Sequence, residues 1–314
     1  MLTPKVIVFA YHNVGVRCLK TLVDFDLQVS LVVTHKDDAK ENIWYDSVEK
    51  TAKELGIDVI TPTQDELKSI LPQVKSYNPD FIFSFYYRHM LPKEILTISK
   101  GGAFNMHGSL LPKYRGRSPT NWAILHGEKE TGATLHLMTD KPDAGGIVDR
   151  LPVPILNNDT AVDVFNKTVT AAEIILWRSL PKIVSKDYTL LPNDIKSGSY
   201  FGGRKPEDGE IRFPMTAVNV HNLVRAVAPP FPGAFIAIND NTKFYIYRTV
   251  LEDVIETEST PDMPTLYHEN SAYYLQSEPD QRIRVLSCGI EGEKPQEPEA
   301  FFNQHNIKLP WRFV

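Results

Sequence analysis

Cysteine is nearly missing from this chain: 314 residues hold two, Cys18 and Cys288, far apart and without paired spacing. That excludes a disulfide framework and a thiolate zinc site, and predicts two buried thiols. The nine His residues show no His-Glu-x-x-His or related ligand spacing, so no metal is assigned. Long apolar runs are missing too. Val6 to Tyr11 and Phe81 to Phe85 are strand-length, far short of a membrane span. The N-terminus has one Lys before a short apolar run that His12 and Asn13 soon break, so neither a signal peptide nor an anchor is expected. A cytoplasmic location follows. The loop after that first run holds only Gly15, so the Gly-x-Gly-x-x-Gly dinucleotide fingerprint is absent, as is a Gly-x-x-x-x-Gly-Lys phosphate loop. Both absences count against a nicotinamide enzyme and a nucleotide hydrolase.

What is present is an ordinary globular composition, 42% hydrophobic and 23% charged, in a chain long enough for two domains. Lys5 to Tyr11, Val29 to Thr34, Asp58 to Thr61, Phe81 to Phe85 and Ala103 to His107 read as short apolar strands. They alternate with helical or loop segments, including helices near Ser47 to Leu55 and Gln64 to Tyr77, the second with Pro72 as a kink point. This alternation predicts an α/β fold with a doubly wound, mostly parallel sheet. A longer helix is predicted from about Thr160 to Leu180, because Thr160 and Asp163 have near capping-box spacing and Val162, Phe165, Val169 and Ala172 recur at helical intervals. From about Pro206 the texture changes to β-type segments, Ala234 to Ile238, Lys243 to Arg248, Ala272 to Gln276 and Arg282 to Leu286, with Asn239-Asp240-Asn241 as a turn. A small barrel or twisted sheet is expected there. The division predicted is residues 1–200 and 206–314, with Ser197 to Asp208 as linker and Glu252 to Glu258 as a solvated acidic surface.

The chemistry-bearing stretch runs from Phe104-Asn105-Met106-His107-Gly108-Ser109 through Leu110-Leu111-Pro112-Lys113-Tyr114-Arg115-Gly116, followed by Asp140-Lys141-Pro142-Asp143-Ala144-Gly145-Gly146. Asn105 and His107 project to one side if their run is a strand, because strand side chains alternate faces. One amide donor and one titratable imidazole then aim at one point. Asp143, in a Gly-flanked turn, can orient the imidazole and favour its protonated form. That set suits acyl-type transfer, which needs donors at a developing oxyanion and a group that moves protons. Lys113, Arg115 and Arg117 place three cations within five residues, a cluster suited to phosphate or carboxylate.

The longer pattern, Asn105-x-His107-x-Ser109-Leu-Leu-Pro112, the Tyr-Arg-Gly116 turn, Gly132-x-Thr134-x-His136-x-Met138 and Asp143-x-Gly145, resembles the enzymes that transfer a formyl group from 10-formyltetrahydrofolate. Within that family the nearest likeness is the formyltransferase domain of the bifunctional aminoarabinose enzyme of bacterial polymyxin resistance, carried also by Val8 to His12 and Phe83 to His89. The resemblance implies Asn105, His107 and Asp143 as the catalytic set. It implies an OB-like C-terminal domain. It places the folate between His89, Met90 and Leu91 on one side and Thr139, Asp140, Lys141, Pro142 and Asp143 on the other, with Arg117 nearby. Tyr200 to Arg204 and Phe231 to Gly233 are similar to the family's nucleotide-sugar side, which adds Arg115, Arg204 and Phe231 as substrate-binding residues.

Three activities fit these residues. The first is a sugar N-formyltransferase acting on a nucleotide-linked amino sugar, with UDP-4-amino-4-deoxy-L-arabinose favoured by the overall likeness. The second is methionyl-tRNA formyltransferase. Residues 206–314 hold nine Lys and Arg against sixteen Asp and Glu, a balance of −7 and the wrong sign for gripping a polyanion. The partners expected are therefore folate and nucleotide sugar, with neither nucleic acid nor membrane. The third is a folate-binding regulator without catalysis, against which the intact Asn105, His107 and Asp143 count. The chain ends at Val314, without a decarboxylase half, which makes the sugar less secure. A homodimer is compatible with the sequence, which does not fix the oligomeric state.

Overall fold

The computed structural model describes residues 3–38, 41–239, 242–253 and 263–313. Part of the Asn239 to Asn241 turn and most of the Glu252 to Glu258 stretch lie outside the described residues. The chain forms two compact units. One contains residues 1–119, 130–154 and 165–202; the other contains 120–129, 155–164 and 203–314.

The first unit is built on a seven-stranded sheet in the order β3-β2-β1-β4-β5-β7-β8. Its strands are β1 (Lys5–Ala10), β2 (Gln28–Val33), β3 (Val59–Ile60), β4 (Phe81–Phe85), β5 (Ala103–His107), β7 (Glu130–Leu137) and β8 (Ile147–Pro154), while β6 (Arg115–Gly116) stands apart. The five strands from β3 to β5 are parallel; β7 and β8 are antiparallel. The predicted mostly parallel α/β sheet is therefore present. β1 and β4 are nearly continuous apolar runs because both of their faces are covered, as parallel sheets require. Val6, Val8 and Phe83 belong to the apolar cluster that holds residues of α1 (His12–Asp24) and α6 (Ala161–Ser185), while Ile7, Phe9 and Ile82 belong to another with Leu67, Val74 and Ile95. The chain winds outward from β1 in both directions, through β2 and through β4. The switch point, where crevices open at the carboxyl ends of α/β sheets, lies between β1 and β4.

Helix α6 starts at the predicted box. Asp163 accepts from the Thr160 backbone N–H at 2.8 Å, and the Asp163 N–H donates back to Thr160 Oγ1 at 3.4 Å. Helix α2 (Val48–Glu54) is capped by Ser47. The single kinked helix expected from Gln64 to Tyr77 is instead a 3₁₀ turn, Asp65–Lys68, followed by α3 (Leu71–Ser76). Pro72 starts the second piece, because a missing N–H costs nothing in a helix's first turn. A short α4 (Lys93–Leu96) follows β4. The stretch read as linker carries β9 (Tyr200–Phe201), which pairs in parallel with β6.

The second unit carries the smaller antiparallel β domain expected after Pro206. Its six strands run in the order β10-β11-β14-β13-β12-β15. They are β10 (Ala234–Asn239), β11 (Thr242–Asp253), β12 (Thr265–Glu269), β13 (Ala272–Gln276), β14 (Gln281–Ile290) and β15 (Trp311–Arg312). The helices α7 (Ala217–Ala226) and α8 (Pro298–His305) supply Val220, Val224, Phe301 and Phe302 to its core. Cys18 and Cys288 are both buried and unpaired, as predicted. Among the described residues no helix is long and apolar enough to cross a membrane.

On α7 the Arg225 guanidinium, 5% exposed, donates twice to Asn222 Oδ1 at 3.1 and 2.8 Å and also to the Leu156 and Asp159 carbonyls. His221 Nε2 donates to the Asn157 carbonyl at 2.9 Å. Removing Asn222 strands two N–H groups of a buried cation. Asn222→Ala is expected to lower unfolding free energy by about 2–3 kcal/mol, read as the urea midpoint. An unmoved midpoint would show that Asn222 does not satisfy Arg225.

Candidate active site

Asn105 and His107 stand two residues apart on β5 and share a face. The antiparallel register with β7 sets Asn105 opposite His136 and His107 opposite Thr134. Asn105 Nδ2 lies 3.1 Å from His136 Nε2 and donates to Asp143 Oδ1 at 3.5 Å. His107 Nδ1 and His136 Nε2 each face Asp143 Oδ1 at 3.5 Å, and the Gly116 N–H donates to Asp143 Oδ2 at 2.9 Å. Two of the residues singled out by spacing, Asn105 and His107, thus converge on the third, the Asp143 carboxylate, whose side chain is 12% exposed. Burial raises the Asp143 pKa, but His107, the hydrogen bond and charge of His136, and the Gly116 N–H outweigh it. The net effect holds the carboxyl well below the usual carboxylate range.

Hydrogen-bond roles fix the imidazoles further. His107 Nε2 lies 2.8 Å from the Tyr114 carbonyl, an acceptor only, so Nε2 carries a proton and donates it. The other nitrogen, Nδ1, faces Asp143. His136 Nδ1 likewise donates to the Leu137 carbonyl at 2.8 Å, and its Nε2 lies 3.1 Å from the Asn105 amide nitrogen and 3.5 Å from Asp143 Oδ1. His136 was part of the sequence pattern but had no assigned role. The period-two alternation through Thr134 and His136 was the signal that would have found it.

Two turns hold this set. Thr134 Oγ1 donates to the Ser109 carbonyl at 2.6 Å and accepts from the Leu111 N–H at 3.2 Å, and Ser109 Oγ donates to the Lys113 carbonyl at 2.6 Å. Gly116 has φ +96, and a Cβ there would lie 2.2 Å from the Phe201 carbonyl oxygen, so only glycine presents its N–H to Asp143 from this turn. The Asp143 turn is fastened by Asn193, whose Nδ2 donates to the carbonyls of Asp143 and Gly145 at 3.0 and 2.9 Å. Asn193 is fifty residues away in sequence and nothing local marked it.

The other predicted positions distribute as follows. Arg117 is exposed, with Nη2 donating to the Arg88 carbonyl at 3.4 Å, which places it beside the His89 loop. Met90 is 52% exposed, whereas the Leu91 side chain is in the core, leaving only its backbone for a ligand. Thr139, Asp140 and Lys141 form an exposed turn closed by Thr139 Oγ1 donating to the Lys141 carbonyl, and half-buried Pro142 leads into Asp143. The Arg115 guanidinium lies over the exposed Tyr200 ring at 5.8 Å. Arg204 and Phe231 belong to the second unit, Arg204 over the Trp122 ring at 4.8 Å and half-buried Phe231 against that unit's core.

An open α/β sheet with a polar set built of amide, imidazole and carboxylate at its carboxyl edge has the groups that group transfer needs. The chain belongs to the formyl transferase family: the family's formyl transferase domain matches residues 5–180 and its C-terminal domain residues 204–306. Solved structures share the fold. An N-formyltransferase from Helicobacter canadensis, in complex with folinic acid and dTDP-3-aminofucose, aligns with a TM-score of 0.66 at 23% identity, over 90% of this chain and 99% of that one. The sugar 3N-formyltransferase WlaRD, with dTDP and 5-N-formyltetrahydrofolate, gives 0.67 at 22% identity, over 94% and 100%. A 4-N formyltransferase from Francisella tularensis gives 0.62 at 20% identity, over 76% and 95%.

The depressed Asp143 pKa has a stability consequence. The contribution is complete above the unfolded value of 3.8 and is lost as pH falls toward the lower folded value. Asp143→Asn is expected to be less stable than the parent at pH 7 by about 1–3 kcal/mol, the gap closing below pH 3. Equal stabilities at neutral pH would show that the donors around the carboxylate do not depend on its charge.

Proposed function

We propose that this chain moves a formyl group from 10-formyltetrahydrofolate to the amine of a nucleotide-linked amino sugar, with UDP-4-amino-4-deoxy-L-arabinose as the favoured acceptor. The observation that carries the reading is the convergence of Asn105, His107 and Asp143 on one point at the carboxyl edge of the sheet. The sugar N-formyltransferases that share this fold, with their folates and dTDP-linked ligands, support the acceptor class. Exposed Met90, the His89 loop, Arg117 and the turn from Thr139 to Pro142 offer a mixed apolar and polar surface beside Asp143, which suits a flat pterin with hydrogen-bonding edges.

Each residue then has a task. Asn105 donates an amide N–H to the formyl oxygen, which gains charge as the amine nitrogen adds to the formyl carbon. His107, held by Tyr114 and facing Asp143, donates from Nδ1 to that oxygen and handles the proton that leaves the nitrogen. Asp143 balances the positive imidazole and fixes its ring. The bond from carbon to the folate nitrogen breaks, that nitrogen takes up the proton that left the amine, and the folate departs as tetrahydrofolate. Residues 1–200 hold this chemistry in our reading, and 206–314 form the OB-like part. Two unpaired thiols fit a cytoplasmic enzyme.

His107→Ala is expected to lower turnover about 10²-fold or more while leaving folate binding largely intact, since acid/base help is typically worth roughly 10² to 10⁴. Near-normal turnover would remove His107 from the mechanism. An assay of amino-sugar nucleotides with 10-formyltetrahydrofolate is expected to show formylation of the 4-amino-arabinose nucleotide and none of methionyl-tRNA. The reverse pattern would assign the acceptor to tRNA, and binding of folate without turnover on any acceptor would favour a regulator.

A further inference from the structure

The stretch that follows α6, residues 190–201, belongs to the first unit and has no task in the formyl chemistry, yet it is tied to both turns that build the reacting centre. Leu191 exchanges two backbone hydrogen bonds with Ile147, at 2.8 and 3.0 Å, which fixes this strap beside the start of β8. Two residues on, Asn193 Nδ2 reaches the Asp143 and Gly145 carbonyls. Asn193 Oδ1 is buried without a partner among the described residues, so those two donations alone aim the amide. Gly198 then passes so near the other turn that a Cβ there would stand 2.1 Å from the Pro112 carbonyl oxygen. Ser199 Oγ accepts from the Tyr114 N–H at 2.8 Å, the Ser199 carbonyl accepts from the Arg115 N–H at 3.0 Å, and the Phe201 carbonyl accepts from the Arg117 N–H at 3.0 Å. Both ends of the hydrogen bond from Gly116 to Asp143 are thus tied to one continuous length of chain.

Backbone conformation gives the reason for the ties. Asp143 has φ +50 and Tyr114 has φ +56, the left-handed region that a residue with a Cβ keeps only where its surroundings over-determine it. These two residues meet His107 at its two nitrogens, the Asp143 carboxylate facing Nδ1 and the Tyr114 carbonyl accepting from Nε2. Each is held by one side chain of the strap: Asp143 at its carbonyl by Asn193, Tyr114 at its N–H by Ser199.

We propose that Asn193 and Ser199 are positioning residues of the transfer reaction, which hold the Asp143 carboxylate and the Tyr114 carbonyl where together they orient the His107 ring. The proposal rests on the tasks assigned above to His107 and Asp143, and its first measurement needs no substrate.

That measurement is the carboxyl titration of Asp143 by ¹³C NMR, with Asp143→Asn to assign the signal. Burial raises the Asp143 pKa, and His107, His136 and the Gly116 N–H together hold it well below the usual carboxylate range. In Asn193→Ala the turn relaxes away from those partners, so the signal is expected to titrate in the ordinary range, near about pH 4, where the parent stays ionised. Turnover of the same variant on the 4-amino-arabinose nucleotide is expected to fall about tenfold to 10²-fold, with the KM for 10-formyltetrahydrofolate little changed, since a small misplacement of reacting groups costs that much. Ser199→Ala is expected to lower kcat about threefold to tenfold, and Ser199→Thr, which keeps the accepting oxygen, to restore it. A residue that only stabilises the fold would shift the urea midpoint and leave the titration and kcat at the parent values. That result in Asn193→Ala overturns the proposal, as does a titration that moves without a fall in kcat, or a Ser199→Thr chain as slow as Ser199→Ala. Should Asn193→Ala fail to fold, the two Ser199 variants decide by the same kcat criterion. A parent that formylates no amino sugar, with the Asp143 titration moved in Asn193→Ala, keeps the positioning and overturns the proposed function; a parent that formylates, with that titration unmoved, does the reverse.

Discussion

One buried carboxylate organises the core of polar contacts in the first unit. A charge taken out of water must be met by donors, or it neutralises or unfolds its surroundings. Asp143 is met by donors from three separate stretches: the Gly116 N–H from the turn after β5, Asn105 and His107 from β5 itself, and His136 from the antiparallel neighbour. A one-residue slip of β5 against β7 would turn His136 and Thr134 to the other side of the sheet, removing at once a carboxylate partner and the tie to Ser109 and Leu111. The register of that strand pair, the tight glycine at 116 and the Asn193 fastening are therefore consequences of the same electrostatic requirement.

The imidazole roles follow from what cannot donate. Because carbonyl oxygens only accept, the Tyr114 and Leu137 carbonyls assign a proton to one nitrogen of each ring. His107 and His136 thus share a carboxylate and present different nitrogens to it, Nδ1 from His107 and Nε2 from His136.

Legibility in the sequence followed the range of the interactions. β4 and β5 were readable to the residue because they are apolar runs of strand length, and Asn105 and His107 because alternation over two residues is local. The Thr160 and Asp163 box was readable for the same reason. What failed depended on partners far along the chain. His136 acquires its role only through antiparallel pairing with β5, and β7 itself, with Thr131, Gly132 and Thr134, does not read as an apolar strand. Asn193 acts across fifty residues on a turn whose own sequence says nothing about it. Pro72 was read as a kink within one helix, whereas it begins a second one, and the α7 network of Asn222 and Arg225 was invisible because a buried arginine looks like a surface arginine until its carbonyl acceptors are known.

Those acceptors lie at Leu156 and Asp159, before α6, and Asn121 on α5 (Pro119–Leu125) reaches the Ala226 carbonyl at 2.7 Å. The second unit is accordingly stitched from three lengths of chain, two of them lent from within the span that builds the first. A fragment beginning at Gly203 would carry its whole antiparallel sheet and yet leave Arg225 Nη1 without the Leu156 and Asp159 carbonyls that accept from it. The covalent order of the chain and the compact units are out of step, so no single cut in the chain separates the second unit whole.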